Sequence, residues 1–366
     1  SSSSQMRWKL IRSVYGALAA LTVTSTGCGA AQDANNTSSH DMGETAPATR
    51  GLDAAAMEQV FNRAENLPNI RSLIVMRGGE ELVARRFHGG AALDDTVNIK
   101  SASKSVISAL VGIAIYRGIF DGVDQPILTE LSSHAPREAD PRLSRLTIGN
   151  LLSMQAGLER TSGENYGRWV SSPNWVRYAL SRPFVEEPGG AMLYSTGSTH
   201  LLSAMLTEAS GRSTWALAQE WLANPLNVAI PQWERDPQGI YLGGNQMAMS
   251  PRGMAKFGEL YRLGGAIDGK RLLPEEWVEL SWKPQTTSPW SGEQYGYGWF
   301  ISDVGGHELY YAWGYGGQMI YVVPDLELTV VMTSTTDVER GGQHIAALRS
   351  LLAEGIVPAA KTGGNF

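Results

Sequence analysis

Segments rich in β-forming residues stand near both ends of the chain and enclose a long middle part of helices and loops. Residues 71–87 form two such runs around a Gly-Gly pair, which is typical of a hairpin. Residues 295–301, 308–317 and 318–334 read as consecutive antiparallel strands. Because strands and helices do not alternate, the pattern predicts an α+β fold, an antiparallel sheet flanked by helices. We expect the sheet from residues 70–90 and 295–334 and the helical region at about 101–290.

The chain divides into three predicted parts. Residues 1–28 begin with basic residues, continue with a short apolar run and end at Cys28, a pattern typical of an export signal. Residues 29–50 are small and polar, and we expect a disordered tether there. Residues 51–366 are predicted to form a single folded unit.

Cys28 is the only cysteine, and the segment before it leaves three alternatives. In the first, Cys28 becomes the lipidated first residue of a bacterial lipoprotein and attaches the protein to the membrane. In the second, an ordinary export signal is cleaved near the same place, and in the third the segment is retained or irrelevant. The first two predict an exported protein, either periplasmic or membrane-anchored, and a single cysteine allows no internal disulfide in any of them.

Composition and motifs argue against several kinds of ligand. The formal net charge is −6, and no run of basic residues is interleaved with aromatic ones, so we expect no nucleic-acid partner. The histidines show neither HExxH nor another ligand spacing, so no metal and no cofactor are expected. The absence of a GxSxG element argues against the common α/β hydrolases.

One apolar segment begins with polar residues that could carry chemistry. In "KSASKSVISALVGIAI", Ser101 and Lys104 are three residues apart and would share one face of a helix. The helix dipole and the apolar surroundings both disfavour an ammonium at Lys104, and a neutral lysine can take a proton from a serine hydroxyl. The SxxK pattern is common by chance, however, and an N-cap serine followed by a solvent-facing lysine is the alternative.

Two further elements support a site at Ser101. Tyr194 precedes a small polar turn and a helix, so its phenol could relay protons, although alone it reads as a core tyrosine. In "WGYGGQMIYVV", the glycines lead into a strand, where a substrate could lie against the edge and a backbone N–H could face an oxyanion. Alone this segment reads as a glycine-rich turn.

Together and in this order, these elements resemble the serine hydrolases related to class C β-lactamases and penicillin-binding proteins. The likeness is closest to the esterases and the 6-aminohexanoate-dimer-hydrolase-like members, and it runs from about Ile70 to Leu352. Further landmarks of the resemblance are "VDQPI", "LTIGNLLSMQAGL", "PGGAMLYSTGSTHLLSAML" and "DPQGIYLGGNQMAMSPRGMAKFGELY". The resemblance implies a β-lactamase-like antiparallel sheet with an additional helical lobe across the active-site cleft.

The resemblance also implies roles for individual residues. Ser101 would be the acylated nucleophile, Lys104 its general base, and Tyr194 a partner in proton transfer. The backbone N–H groups of Ser101 and Gln318 would form the oxyanion hole. The substrate edge would consist of Thr196, which stands where Asn is common in the family, and of Tyr315, Gly316 and Gly317.

The third element of the family distinguishes between substrates. β-Lactamases carry Lys-Thr-Gly there, whereas this chain has Tyr315-Gly316-Gly317, and a neutral tyrosine cannot replace a fixed positive charge. The chain does contain Lys361-Thr362-Gly363, but too close to its end for a sheet strand, and we interpret it as a disordered tail or a cloning remnant. The sequence therefore predicts a hydrolase of small esters or amides. The alternatives are a D-Ala-D-Ala carboxypeptidase or β-lactamase, and a penicillin-binding sensor without turnover.

Overall fold

In a computed structural model of the protein, the described residues are Glu44, 51–338 and 342–364. The predicted export signal, Cys28 and the tether apart from Glu44 therefore lie outside the described residues. Within the described part, no helix is both long enough and apolar enough to cross a membrane.

The regular elements are labelled in chain order. The strands are β1 (Ile70–Arg77), β2 (Glu80–Arg86), β3 (Val97–Lys100), β4 (Met247–Met249), β5 (Ala266–Ile267), β6 (Lys270–Arg271), β7 (Thr286–Thr287), β8 (Gln294–Tyr295), β9 (Phe300–Val304), β10 (His307–Gly314), β11 (Gln318–Val323) and β12 (Leu328–Ser334). The helices are α1 (Ala54–Glu65), α2 (Ser103–Tyr116), α3 (Leu128–Leu131), α4 (Ile148–Leu152), α5 (Tyr166–Val170), α6 (Trp175–Leu180), α7 (Thr196–Ser210), α8 (Thr214–Ala218), α9 (Asn224–Leu226), α10 (Pro251–Arg262), α11 (Glu275–Ser281), α12 (Gly342–Ser350) and α13 (Val357–Thr362). Gln219–Ala223 and Leu351–Ile356 are π-helical, and Ser132–His134, Pro141–Arg145, Gly163–Asn165 and Pro324–Leu326 are 3₁₀ turns.

The β-rich segments on either side of the helical middle form one antiparallel sheet. Its strand order is β2-β1-β12-β11-β10-β9-β8-β7, so β1 from the start pairs with β12 from the end. Two further two-stranded sheets, β3-β4 and β5-β6, lie outside it. The α+β prediction is confirmed, and the pairing of β1 with β12 explains why β-rich segments flank the helical middle.

Both faces of this sheet are covered by helices. Along β11, Ile320 and Val322 belong to one apolar core, while Met319 and Tyr321 belong to the other. The first core includes α2, α7 and α10, and the second includes α1 and the C-terminal helices. Since alternate residues of a strand point to opposite faces, a strand buried on both faces reads as a continuous apolar run.

One predicted strand is interrupted. The segment 295–301 is not continuous, because residues 296–299 leave the sheet between β8 and β9. A Cβ at Gly296 would lie 2.1 Å from the carbonyl oxygen of Ser281, so only glycine fits this close approach. The carbonyls of Tyr297 and Gly298 instead accept hydrogen bonds from the hydroxyls of Ser108 and Ser105, at 2.7 and 2.6 Å.

The C-terminal Lys361-Thr362-Gly363 is ordered, which corrects its interpretation as a disordered tail. Lys361 and Thr362 end α13, and the Lys361 ammonium donates to the carbonyl of Gly305 at 3.0 Å. Gly363 packs against the backbone of Leu52, where a Cβ would lie 2.6 Å away. As predicted, the segment is not a strand of the sheet.

Candidate active site

Ser101 lies between β3 and α2, where the chain turns sharply. The preceding Lys100 has a left-handed backbone with φ of +50°, an unusual conformation for a residue with a side chain. The Ser103 hydroxyl donates to the carbonyl of Lys100 at 2.6 Å and accepts from the N–H of Met247 at 3.1 Å, which fixes the turn to β4. A Cβ at Gly314 would lie 2.1 Å from the carbonyl of Ile99, so β10 also ends directly against this turn.

The other serines of the opening motif hold the helix in place. Ser103, Ser105 and Ser108 are buried, and each hydroxyl donates to a backbone carbonyl of a neighbouring segment. Ser101 is half-buried and lines an open cleft. The structure therefore leaves Ser101 as the accessible hydroxyl of the motif.

Lys104 is buried directly behind Ser101. Lys104 is only 2% exposed. Its Nζ donates to Ser101 Oγ at 2.9 Å, to Thr196 Oγ1 at 3.1 Å and to the carbonyl of Gly244 at 2.7 Å. Burial lowers the pKa of Lys104 to about 7, because the ammonium has lost its hydration. Within the described residues, no carboxylate forms an ion pair with it to offset that loss.

Tyr194 completes the predicted catalytic group. The Lys104 ammonium lies 4.9 Å from the centroid of the Tyr194 ring, and the ring packs on Phe300 and Tyr295. Burial raises the pKa of Tyr194 to about 12, although the Ser101 hydroxyl and Arg160 act in the opposite direction. At neutral pH the phenol is therefore protonated and suited to donate a proton.

Thr196 occupies a different place from the other predicted substrate-edge residues. Thr196 is buried. Its Oγ1 is hydrogen-bonded to the hydroxyl of Ser162 at 3.0 Å, and its backbone N–H donates to the same hydroxyl at 2.7 Å. The start of α7 is thus held by the 161–162 segment. Thr196 Oγ1 accepts from Lys104 and Thr196 is not part of the cleft lining, so its hydroxyl takes part in holding Lys104.

No sequence pattern points to the carbonyl of Gly244, which accepts from Lys104. Gly244 has φ of +96°, and a Cβ there would lie 2.0 Å from Thr199 Oγ1 and 3.0 Å from Lys104 Cγ. Its signal is the Gly-Gly pair in the landmark "GIYLGGNQMAM", which only the fold places against α2 and α7. Glycine is required here by both its conformation and the close contact.

A buried His-Asp pair supports this Gly-Gly turn. His200 Nδ1 accepts from the N–H of Gly243 at 3.1 Å, so Nε2 carries the proton and donates to Asp236 Oδ2 at 2.9 Å. Asp236 Oδ1 in turn accepts from the N–H groups of Gln238 and Ile240. His200 is fully buried and both ring nitrogens are engaged, so it does not line the cleft and does not act on Ser101.

The third predicted element forms a tight turn at the end of β10. Gly316 and Gly317 have φ of +85° and +111°. A Cβ at Gly316 would lie 2.7 Å from the carbonyl oxygen of Thr335, and one at Gly317 would lie 2.7 Å from Ser334 Oγ. The Gln318 side chain donates to the carbonyls of Tyr315 and Ser334 and accepts from the N–H of Ser334, which fixes the turn to β12. Tyr315 and Gly316 line the cleft.

The predicted oxyanion hole has one open donor in the structure. The backbone N–H of Ser101 has no acceptor among the described residues, and Ser101 lines the cleft. Backbone donors without an acceptor are rare away from water. Gln318, the second predicted donor, follows the Gly316-Gly317 turn at the start of β11 and is buried.

The cleft above Ser101 has a volume of about 800 Å³ and a mostly apolar wall. Its lining includes Met192, Tyr194, Trp290, Phe300, Trp313 and Ile345. Within the described residues, no cluster of His, Cys, Asp or Glu is arranged to hold a metal ion. The site thus brings the Ser101 hydroxyl, the Lys104 amine and the Tyr194 phenol together beside a largely apolar cleft.

Known proteins share this architecture. An uncharacterised protein of Alkalihalophilus pseudofirmus is 24% identical over 257 residues, which cover 65% of this chain and 73% of that protein. The structure of a candidate 6-aminohexanoate-dimer hydrolase from Bacillus anthracis matches with a TM-score of 0.69 at 18% identity, covering 82% of this chain and 81% of the other. EstCE1, a hydrolase with promiscuous acyltransferase activity, matches with a TM-score of 0.65 at 16% identity, covering 82% and 97%. These likenesses confirm the predicted fold.

The model of the family described as "Beta-lactamase" matches residues 62–354. The match begins within α1 and ends in the π-helical segment before α13, so it includes the whole sheet. It also contains Ser101, Lys104, Tyr194 and the turn before Gln318. The chain therefore belongs to the β-lactamase family of serine hydrolases.

Proposed function

We propose that the protein hydrolyses ester or amide bonds of small acyl substrates through an acyl-enzyme on Ser101, with Lys104 as the general base. The observation that carries the proposal is the contact between Lys104 Nζ and Ser101 Oγ at 2.9 Å, together with the burial that lowers the pKa of Lys104 to about 7. Near neutral pH, a substantial share of this lysine is the free amine, which can accept the serine proton.

The reaction would proceed in two balanced steps. First, Ser101 Oγ bonds to the substrate carbonyl carbon as its proton passes to Lys104, and the oxyanion accepts hydrogen bonds from the N–H groups of Ser101 and Gln318. The bond to the leaving oxygen or nitrogen then breaks as that atom takes a proton from Tyr194, which is resupplied from Lys104. Second, water bonds to the acyl carbon as one of its protons passes to this pair; the bond from Ser101 Oγ to that carbon then breaks as Oγ takes the proton from the pair, which releases the acid and restores Ser101.

The wall of the cleft supports small esters and amides as substrates. It is mostly apolar and aromatic, and Tyr315 offers no positive charge where β-lactamases have a lysine. The Bacillus anthracis structure carries the name of a 6-aminohexanoate-dimer hydrolase, and EstCE1 that of a hydrolase with promiscuous acyltransferase activity. Both names are compatible with acyl transfer from an unstrained ester or amide.

The proposal is tested with Ser101→Ala and with Ser171→Ala as the matched control, since Ser171 is an exposed serine whose hydroxyl donates to the carbonyl of Gly167 in its own helix turn. Each protein is assayed with a p-nitrophenyl ester, a 6-aminohexanoate dimer, a D-Ala-D-Ala peptide and penicillin, and its intact mass is recorded. We expect turnover of the ester or dimer, lowered by about three or more orders of magnitude in Ser101→Ala alone. Full activity of Ser101→Ala would place the nucleophile elsewhere. A lasting adduct from penicillin, without turnover of the others, would indicate a sensor.

A further inference from the structure

A single charged side chain stands in the lining of the cleft among the described residues. That residue is Arg160, and the other lining residues are apolar, aromatic or neutral, Ser101 included. Arg160 lies two residues after the landmark "LTIGNLLSMQAGL", in a segment to which the sequence analysis assigns no function. A cation in a mostly apolar wall is costly unless an anion meets it, so its position calls for a physical reason.

Contacts within the protein engage only part of the guanidinium. Nε donates to the carbonyl of Tyr194 at 2.7 Å, and Cζ lies 4.2 Å from the ring centroid of Trp290. Burial lowers the pKa of Arg160, while Glu164 acts in the opposite direction. Among the described residues, no carboxylate is within ion-pair distance, and the terminal nitrogens donate to no acceptor. Two planar donors thus remain without an acceptor beside the cleft.

This arrangement matches the chemistry of a carboxylate. An arginine fork can donate two parallel hydrogen bonds to its two oxygens, which a lysine cannot do in the same plane. The hydrogen bond to Tyr194 and the contact with the Trp290 ring restrict the guanidinium in advance, so less freedom is lost on binding. The contact with Tyr194 also ties this cation to the catalytic tyrosine.

We infer that Arg160 is a specificity residue that binds a carboxylate of the substrate, so that the preferred substrates are small esters or amides that also carry a free carboxylate. This inference rests on the proposed hydrolysis at Ser101. The neutral Tyr315, in place of the β-lactamase lysine, favours substrates without an anionic group. Arg160 changes this expectation, because it supplies a positive charge elsewhere in the cleft lining. The carboxylate belongs either to the acyl group or to the leaving group.

The test uses two pairs of substrates that differ only in charge. 4-Nitrophenyl hemiglutarate and 4-nitrophenyl glutaramate carry a carboxylate or a carboxamide on the acyl group. 4-Acetoxybenzoate and 4-acetoxybenzamide carry the same groups on the leaving group. We expect the carboxylate member of at least one pair to have a kcat/KM higher by about tenfold to a hundredfold.

Variants separate recognition from a structural role. Arg160→Met is expected to abolish the preference, because kcat/KM should fall about tenfold to a hundredfold more for the carboxylate substrate than for its carboxamide partner, and Arg160→Lys should restore part of it. Arg182→Met is the matched control, because Arg182 also stacks on an aromatic ring, that of Tyr178 at 3.7 Å, but lies outside the cleft lining. It should keep the preference.

Three results would overturn the inference. The first is a wild-type protein whose kcat/KM is the same for both substrates of each pair. The second is an equal loss of kcat/KM on carboxylate and carboxamide in Arg160→Met. The third is a preference for the carboxylate that survives in Arg160→Met. An equal loss would mean that Arg160 only positions Tyr194. Hydrolysis of the carboxamides with no preference would remove this inference and leave the proposed function intact, whereas hydrolysis of no substrate would remove both.

Discussion

The burial of Lys104 predicts how activity depends on pH. If the free amine is the base, kcat/KM should fall about tenfold per pH unit below the pKa of about 7 and reach a plateau above it. A limb near neutral pH is usually attributed to a histidine, and His200 binds the N–H of Gly243, next to the Gly244 carbonyl that accepts from Lys104. His200 is fully buried with both ring nitrogens engaged, so the limb should persist in His200→Gln.

The same burial sets the size of an effect on stability. The lowering of the Lys104 pKa from 10.5 to about 7 corresponds to a cost of about 5 kcal/mol for the charged form. Between these two values the unfolded chain holds one proton more than the folded protein, so stability rises with pH. Relative to Lys104→Met, the wild-type free energy of unfolding should therefore gain about 1.4 kcal/mol per pH unit in this range and nothing below it.

Two measurements check this prediction. Urea unfolding of the wild type and Lys104→Met, from about pH 6 to about pH 9.5, gives the difference in stability, in which the other titrating groups cancel. Rates of ester hydrolysis over the same range, with His200→Gln alongside, give the limb. A stability difference that does not change with pH, or a limb lost in folded His200→Gln, would refute the assignment of Lys104 as the neutral base.

Three further outcomes follow from the geometry. Tyr194→Phe should lower kcat by about a hundredfold or more on amides and less on p-nitrophenyl esters, whose leaving group needs no proton, as steady-state rates will show. Thr196→Val removes an acceptor that favours the ammonium, so the acidic limb of the pH–rate profile should move to lower pH. Gly314→Ala should destabilise the protein by about 2 kcal/mol or more in urea unfolding, because its Cβ would lie 2.1 Å from a backbone oxygen. Gly167→Ala, whose Cβ meets nothing within 4 Å, should be close to neutral.

Local patterns were sufficient for the order of the strands along the chain and for the helix that carries Lys104. Residues Ser103–Ala114 are buried without exception, as expected of a helix that is apolar all round. The continuous apolar runs of β11 and β12 were likewise readable, since both faces of these strands are covered. The break at residues 296–299 cannot be predicted from the local sequence, because it depends on the approach of α2 and of Ser281, which are distant in the sequence.

Around Lys104, too, one contact follows from local sequence spacing, whereas the others depend on distant segments. The i, i+3 spacing was enough to pair Lys104 with Ser101. The carbonyl of Gly244 and the hydroxyl of Thr196 come from segments 140 and 92 residues away, and no periodicity reports such contacts. Arg160 was missed for a related reason, since a lone arginine in a loop has no pattern until the fold places it in a cleft.

The partners of Lys104 explain how a buried lysine can remain a base. Each acceptor around Nζ is an uncharged oxygen: two hydroxyls and one carbonyl. A carboxylate in any of these places would stabilise the ammonium and raise the pKa, and the lysine would then hold its proton at neutral pH. Neutral acceptors satisfy the donors without compensating the charge, so burial keeps the pKa low while the amine stays oriented towards Ser101. The stability lost by burying Lys104 and the reactivity proposed for Ser101 thus have the same physical cause.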